Sequence, residues 1–283
     1  ELLASFKVNL SGSHRVADME FAGFNNFKEV LFGSRSTDFW MAFRNTFLLS
    51  AYGLIFGFPV PIILALFFNE IKSNAYRSFL QVVTYLPRFI STVIITTLVW
   101  MLLSGKGLLP EGTPGVISKT LVSLKLISSE VADKGVMFHS QYFRSVFLIQ
   151  GIWEGAGYGS IVYFAAVIAI SPTNYEAAQI DGAGKIQQLR YVVLPAMLST
   201  IIIMLIVRIG ALLSIGYETV YLLRHRSTYM TAQVISTLAL DWKESTTNEM
   251  LSTVPEMINN ITSMVLVIGA NMISRKVSET SLY

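Results

Sequence analysis

Long apolar runs separated by short polar segments organise this chain. A membrane-crossing helix needs about 20 mostly apolar residues. Five stretches reach that length: Phe43 to Phe68, Phe79 to Ser104, Phe147 to Ile170, Pro195 to Leu223 and Val254 to Ile273. The last is the most polar, with Asn259, Asn260 and Asn271. The pattern predicts an all-α polytopic membrane protein, a helical bundle with five visible spans. The stretch 1–40 is polar and mixed, and the chain opens on Glu1, so a further span is expected upstream.

The short loops orient these spans. Lys72 and Arg77 follow the first span, Lys185 and Arg190 the third, and Arg275 and Lys276 the fifth. Alternation puts all three segments on one side, and the excess of Lys and Arg makes that side cytoplasmic. The stretches 1–40, 105–145 and 224–253 are then expected outside. Arg224, His225 and Arg226 are a mild exception. Residues 41–283 read as one transmembrane domain with a cytoplasmic loop at 171–195. Gly53 and Gly57, and again Gly151, Gly155 and Gly159, recur at the four-residue spacing that lets helices approach closely. Bundle packing is their plainer reading, and helix mobility their functional one.

Composition sharpens the class. Of 283 residues, 53% are hydrophobic and 14% charged. Soluble domains carry about 25% charged residues, so no ordinary water-facing surface is available. The absence of cysteine excludes disulfides, thiolate metal sites and a cysteine nucleophile. The net charge of +3 is small and its Lys and Arg are scattered, which argues against nucleic acid.

The loop after the third span carries the most information. Ser171-Pro172 starts a short helix and Gly182 with Gly184 ends it. About 10–12 residues would give a lever about 15–18 Å long. Tyr175, Ala178 and Gln179 share one face, and Ala177 with Ala178 leave the backbone bare for another protein surface. Glu176-Ala177-Ala178, then Gly182, then Val192 and Leu194-Pro195 together resemble the EAA loop of binding-protein-dependent ABC importer permeases. Tyr85-Leu86-Pro87, Arg208-Ile209-Gly210 and the tail from Ser274 to Tyr283 are similar to the maltose-permease-like oligosaccharide group, near the alginate and pectic-oligosaccharide importers. The likeness runs from about Phe24 to the end and is weakest at Lys243–Asn260.

The resemblance implies a type I ABC importer permease in a bacterial cytoplasmic membrane. It implies a second homologous permease, two ATPase subunits, an extracytoplasmic solute-binding protein and an oligosaccharide substrate. An acidic, alginate-type sugar is the finer expectation. Glu176, Ala177, Ala178 and Gly182, with neighbouring Tyr175 and Asp181, would contact the ATPase. No P-loop is present: Gly184-Lys185 is followed by Ile186. ATP and Mg²⁺ are therefore expected on the partner ATPase, with no cofactor on this chain. His14, His139 and His225 are isolated, and neither a metal set nor a catalytic constellation stands out.

Ionisable groups inside spans are costly and mark pathways. Arg88, Glu154, Arg208 and Glu218 fall within the predicted spans. Arg208 lies too deep to snorkel easily. Trp153, Tyr158, Tyr163 and Tyr217 offer aromatic faces to a sugar, and Asn259 a buried amide; packing is the plainer reading of each. The rival functions are the same machinery with another solute and an ion-driven secondary transporter. The second should show internal inverted repeats, and none are seen.

Overall fold

The computed structural model describes residues 6–8, 20–106, 112–245 and 249–278. The readings placed on His14 and on the tail Glu279–Tyr283 lie outside the described residues.

After a two-residue antiparallel pair, β1 (Lys7–Val8) and β2 (Glu20–Phe21), the described chain is helical. In order it forms α1 (Asn25–Phe32), α2 (Ser36–Glu70), α3 (Asn74–Tyr85), α4 (Thr92–Leu102), α5 (Val116–Ser123), α6 (Ser129–Lys134) and α7 (Ser140–Ile168). Then follow α8 (Pro172–Ile180), α9 (Lys185–Gly210), α10 (Tyr217–Leu223), α11 (Tyr229–Ala232), α12 (Ile235–Ser245) and α13 (Thr253–Ser278). Among the described residues, α2, α9 and the segment Met250–Met272 are long and apolar enough to cross a membrane. The bent pairs α3 with α4, and α7 with α8, satisfy length and composition together, which brings the count to five if each pair is one span.

Proline chemistry explains two irregular turns. Pro59 and Pro195 cannot donate to a helix ladder, and a proline ring crowds the preceding turn. A wider π turn precedes each one, Gly53–Gly57 within α2 and Leu189–Val193 within α9. Phe58 N–H closes the first on the Gly53 carbonyl at 3.1 Å. Both helices continue through the proline instead of breaking.

Two spans differ from the sequence expectation. The second is not one helix. Pro87 converts its middle to a 3₁₀ turn, Leu86–Phe89, and Ile90 and Ser91 are extended before α4 begins. The fourth stops at Gly210 instead of reaching Leu223. The intervening Ala211–Gly216 is apolar enough to pass for membrane, but Gly216 restarts the chain as the separate helix α10. Tyr217 and Glu218 therefore stand exposed in the first turn of α10, outside the fourth span. There the carboxylate favours the positive end of the helix dipole.

The chain folds as two compact units. The first gathers the described parts of 1–51, 91–147 and 212–263. One of its cores joins Leu103, Val136, Met137, Phe143, Val220 and Leu223; another joins Val30, Phe39, Ala42, Ile235, Leu238, Trp242 and Leu251. The region Lys243–Asn260, where the resemblance was weakest, thus contributes Leu251 and Val254 to a core with α1. Within this unit the fully buried Asn45 amide donates to the Met230 and Gln233 carbonyls and its oxygen accepts from Arg144 at 3.0 Å. The second unit gathers 52–90, 148–211 and the described residues from 264 onward. Its core is Ala65, Tyr163, Val167, Ile170, Val193 and Met197, with Tyr175 and Leu189 packed against it.

Candidate functional site

The loop helix α8 is built by its ends. Pro172 occupies the first turn, where its missing N–H costs no ladder bond. Ser171 stands at the N-cap position, but its hydroxyl pairs with that of Thr173 at 2.7 Å and not with a backbone amide. The helix is nine residues long, shorter than the expected 10–12, so it spans about 14 Å.

Its C-terminus is a Schellman motif. Ala183 N–H donates to the Ala178 carbonyl at 2.8 Å, and Gly182 N–H to Gln179 at 3.0 Å. Gly182 itself sits at φ +77°, the left-handed region that glycine enters without a Cβ penalty. The next helix is capped at once, as Gly184 N–H donates to the Gln187 side chain at 2.7 Å and Gln188 Nε2 donates to the Ala183 carbonyl at 2.8 Å. The whole turn is closed by its own hydrogen bonds, which gives the exposed helix a defined pose.

Two faces follow. Tyr175 and Ala178 are half-buried, while Glu176, Ala177, Gln179, Asp181 and Gly182 are exposed. Gln179 therefore departs from the face assigned to it by spacing. Glu176 makes no ion pair among the described residues. Ile180 and Ile186 are 87% and 81% exposed. An acidic residue, bare alanine backbone and Ile180 on α8, with Ile186 exposed just past the turn, are open to a second protein.

The other side of the turn is fixed within the chain. Tyr175 packs against the core of Ala65, Tyr163 and Val193, and Lys185, the first residue of α9, pairs with Glu70 at the end of α2. Burial foremost, with Glu70 nearby, pushes the Tyr175 hydroxyl above its ordinary pKa; the Asn69 side chain works in the opposite direction. Neither tether was legible in sequence, where Asn69-Glu70 marked only a span end. We expect Tyr175→Ala to cost about 2 kcal/mol of stability by withdrawing its ring from that core, measured by thermal unfolding of the purified protein.

The candidate pathway residues divide between the units. In the second, Arg88 pairs with Glu154 at 3.3 Å, and Phe89 meets Tyr158 edge-on at 6.1 Å. The 3₁₀ turn that breaks the second span thus lies on one face of α7. Gly157 on that face is what permits the approach, since a Cβ there would overlap the Thr84 carbonyl oxygen and lie 2.5 Å from its carbon. The spacing argument missed Gly157. Of the stripe it did identify, Gly151 and Gly155 have nothing within 4 Å, and only Gly159 touches a neighbour, Pro61. Trp153 is 46% exposed; Tyr163 is buried, edge-on to Phe58.

Arg208 ends 3.6 Å from where a Cβ on Gly53 would stand, at the first residue of the π turn. No carboxylate pairs with it among the described residues. In the first unit, Tyr217 is exposed on α10, and Asn259 is buried on α13 with Nδ2 donating to the Leu213 carbonyl at 3.0 Å. Among the described residues, no group of His, Asp or Glu side chains could hold a metal ion.

Residues 57–243 match the family described as "Binding-protein-dependent transport system inner membrane component". The chain is 32% identical to Protein LplB of Bacillus subtilis (strain 168) over 266 residues, covering 93% of this chain and 78% of that one. It is 33% identical over 245 residues to the polygalacturonan/rhamnogalacturonan transport system permease protein YteP of the same organism, covering 87% and 73%. Its structure is similar to that of a bacterial ABC transporter involved in the import of the acidic polysaccharide alginate. The TM-score there is 0.81 at 34% identity, with 98% of this chain and 88% of that chain covered.

Proposed function

This chain belongs to the family of binding-protein-dependent transport system inner membrane components, and from that premise we propose that it passes an acidic oligosaccharide across a bacterial cytoplasmic membrane. It is an integral-membrane ABC permease subunit, not an enzyme. Its partners in this reading are a second homologous permease, two ATPase subunits that hold ATP and Mg²⁺, and an extracytoplasmic solute-binding protein.

The observation that carries the coupling reading is the construction of α8. Its outer face and the turn after it present Glu176, Ala177, Asp181 and Gly182, while Tyr175 packs into the core of the second unit and Lys185, just past the turn, pairs with Glu70 at the end of α2. When the ATPases close on ATP, a push on α8 would reach α2 through those tethers and α9 through the capped turn. Further support for this topology comes from the two units: each predicted cytoplasmic loop falls within the second unit and each predicted outer stretch within the first.

The acidic cargo is supported by the polygalacturonan/rhamnogalacturonan transport of YteP, by the alginate import of the structural relative, and by the cation at Arg208, which has no carboxylate paired with it among the described residues. Arg88 is different, because Glu154 already neutralises it. The deciding experiment reconstitutes the complete transporter with its binding protein and screens oligosaccharides for stimulation of ATP hydrolysis. Uronate oligosaccharides should stimulate and neutral maltooligosaccharides should not; the reverse order would refute the acidic cargo. Arg208→Ala is expected to lower uptake of a uronate trisaccharide about tenfold, the scale of one charge-assisted hydrogen bond. Unchanged uptake and ATPase activity would remove Arg208 from the path.

A further inference from the structure

The first unit contains a cavity of about 230 Å³. Its floor is buried and includes Thr46, Ile235 and Asn259; its rim is exposed and includes Ser214, Glu256 and Asn260. The walls are held firmly. Thr46 Oγ1 donates to the Ala42 carbonyl at 2.8 Å and accepts Ile235 N–H at 3.0 Å, Ser236 Oγ donates to the Ile215 carbonyl at 2.9 Å, and Asn259 Nδ2 donates to the Leu213 carbonyl at 3.0 Å.

Three other polar side chains there keep hydrogen-bonding capacity open among the described residues. Asn259 Oδ1 is buried and has no hydrogen-bond partner among the described residues. A buried acceptor left unpaired costs stability comparable to a lost hydrogen bond, so it marks a place for a donor from elsewhere. The Ser214 hydroxyl and the Asn260 amide make no hydrogen bond within the described chain. Leu213, Ile215 and Ile235 supply apolar wall beside these groups. A compact cavity with an apolar wall, an orphan acceptor and free donor–acceptor groups suits a ligand that is apolar on its ring face and hydroxylated at its edge.

We propose that this cavity is a subsite for one sugar ring, in which ring hydroxyls donate to Asn259 Oδ1 and exchange hydrogen bonds with Ser214 and Asn260. The inference rests on the oligosaccharide reading above and adds a location and an orientation. The ring enters by its hydroxyl edge, which meets Asn259 Oδ1, Ser214 and Asn260, with any carboxylate directed away.

The chain has no cysteine, which makes chemical protection a clean test. Ser214→Cys and Asn260→Cys are made singly in the assembled transporter and treated with a maleimide, with labelling of this chain read by mass spectrometry. Lys119→Cys, exposed on α5 of the same unit, is the control. A galacturonate trisaccharide at ten times its dissociation constant should slow labelling at both rim positions about tenfold and leave the control unchanged. Asn259→Leu, which removes the acceptor and fills the cavity, should abolish that protection. If wild-type transporter imports the trisaccharide while rim labelling is unaffected, the subsite is refuted and the oligosaccharide reading stands. If labelling slows but no import occurs, the subsite stands and the cargo reading falls. Protection that survives in Asn259→Leu also overturns the subsite.

Discussion

Uptake is expected to fall at least tenfold when Gly182 is replaced by aspartate, with the binding protein's affinity for sugar unchanged. The residue sits at φ +77° in the Schellman turn that closes α8. Any Cβ there is strained, but aspartate tolerates left-handed backbone better than most residues, so the folding cost is about 1 kcal/mol or less. A Cβ at this position meets no described atom within 4 Å. The loss must therefore arise in whatever covers the exposed face, where a bulky negative group would meet a surface shaped for bare backbone. Glu176→Lys, a charge reversal on the same face, should act alike. The measurement is binding-protein-dependent uptake in proteoliposomes, alongside thermal unfolding of the variant complex. Normal uptake by either variant would end the claim that α8 transmits the ATPase stroke. A large drop in melting temperature for Gly182→Asp would instead reassign its role to folding.

The second large effect belongs to a glycine that spacing does not reveal. Gly157→Val should destabilise the protein by about 3 kcal/mol or more, because its Cβ would collide with the Thr84 peptide and backbone cannot yield as a flexible side chain can. The overlap would lift the 3₁₀ turn from α7 and separate Arg88 from Glu154 and Phe89 from Tyr158. Gly151→Ala and Gly155→Ala are the controls. Both positions face open space in this chain, and alanine favours a helix over glycine by about 0.5–1 kcal/mol. They should be neutral or slightly stabilising by thermal unfolding in detergent. Equal stability of Gly157→Ala and Gly155→Ala would refute the close approach.

Much of the architecture is legible in the chain because membrane insertion depends on composition over about 20 residues, a local property. The first, third and fifth spans and the helix at 172–180 follow from apolar length, proline and glycine. The errors have local causes too, but ones that hydropathy does not weigh. Pro87 divides the second span, and the apolar stretch Ala211–Gly216 hides a helix end. The EAA spacing was readable because its residues lie close together along one short loop and its turn.

Sequence alone determined a helical membrane protein with an exposed loop helix closed at Gly182, since span length and left-handed turns are set by neighbouring residues, and its loop motif carried the likeness to importer permeases. Tertiary structure decided what the loop is tied to, which glycine admits a close neighbour and which charges are neutralised. Lys185 with Glu70, Gly157 with Thr84 and Arg88 with Glu154 are each separated by 66 or more positions, and no local rule pairs residues so distant. Among the described residues the same folding leaves Arg208 without a carboxylate and Asn259 Oδ1 without a donor. Buried polar groups such as the Asn259 amide are normally satisfied within a fold, and only the packed chain reveals which of them stay open.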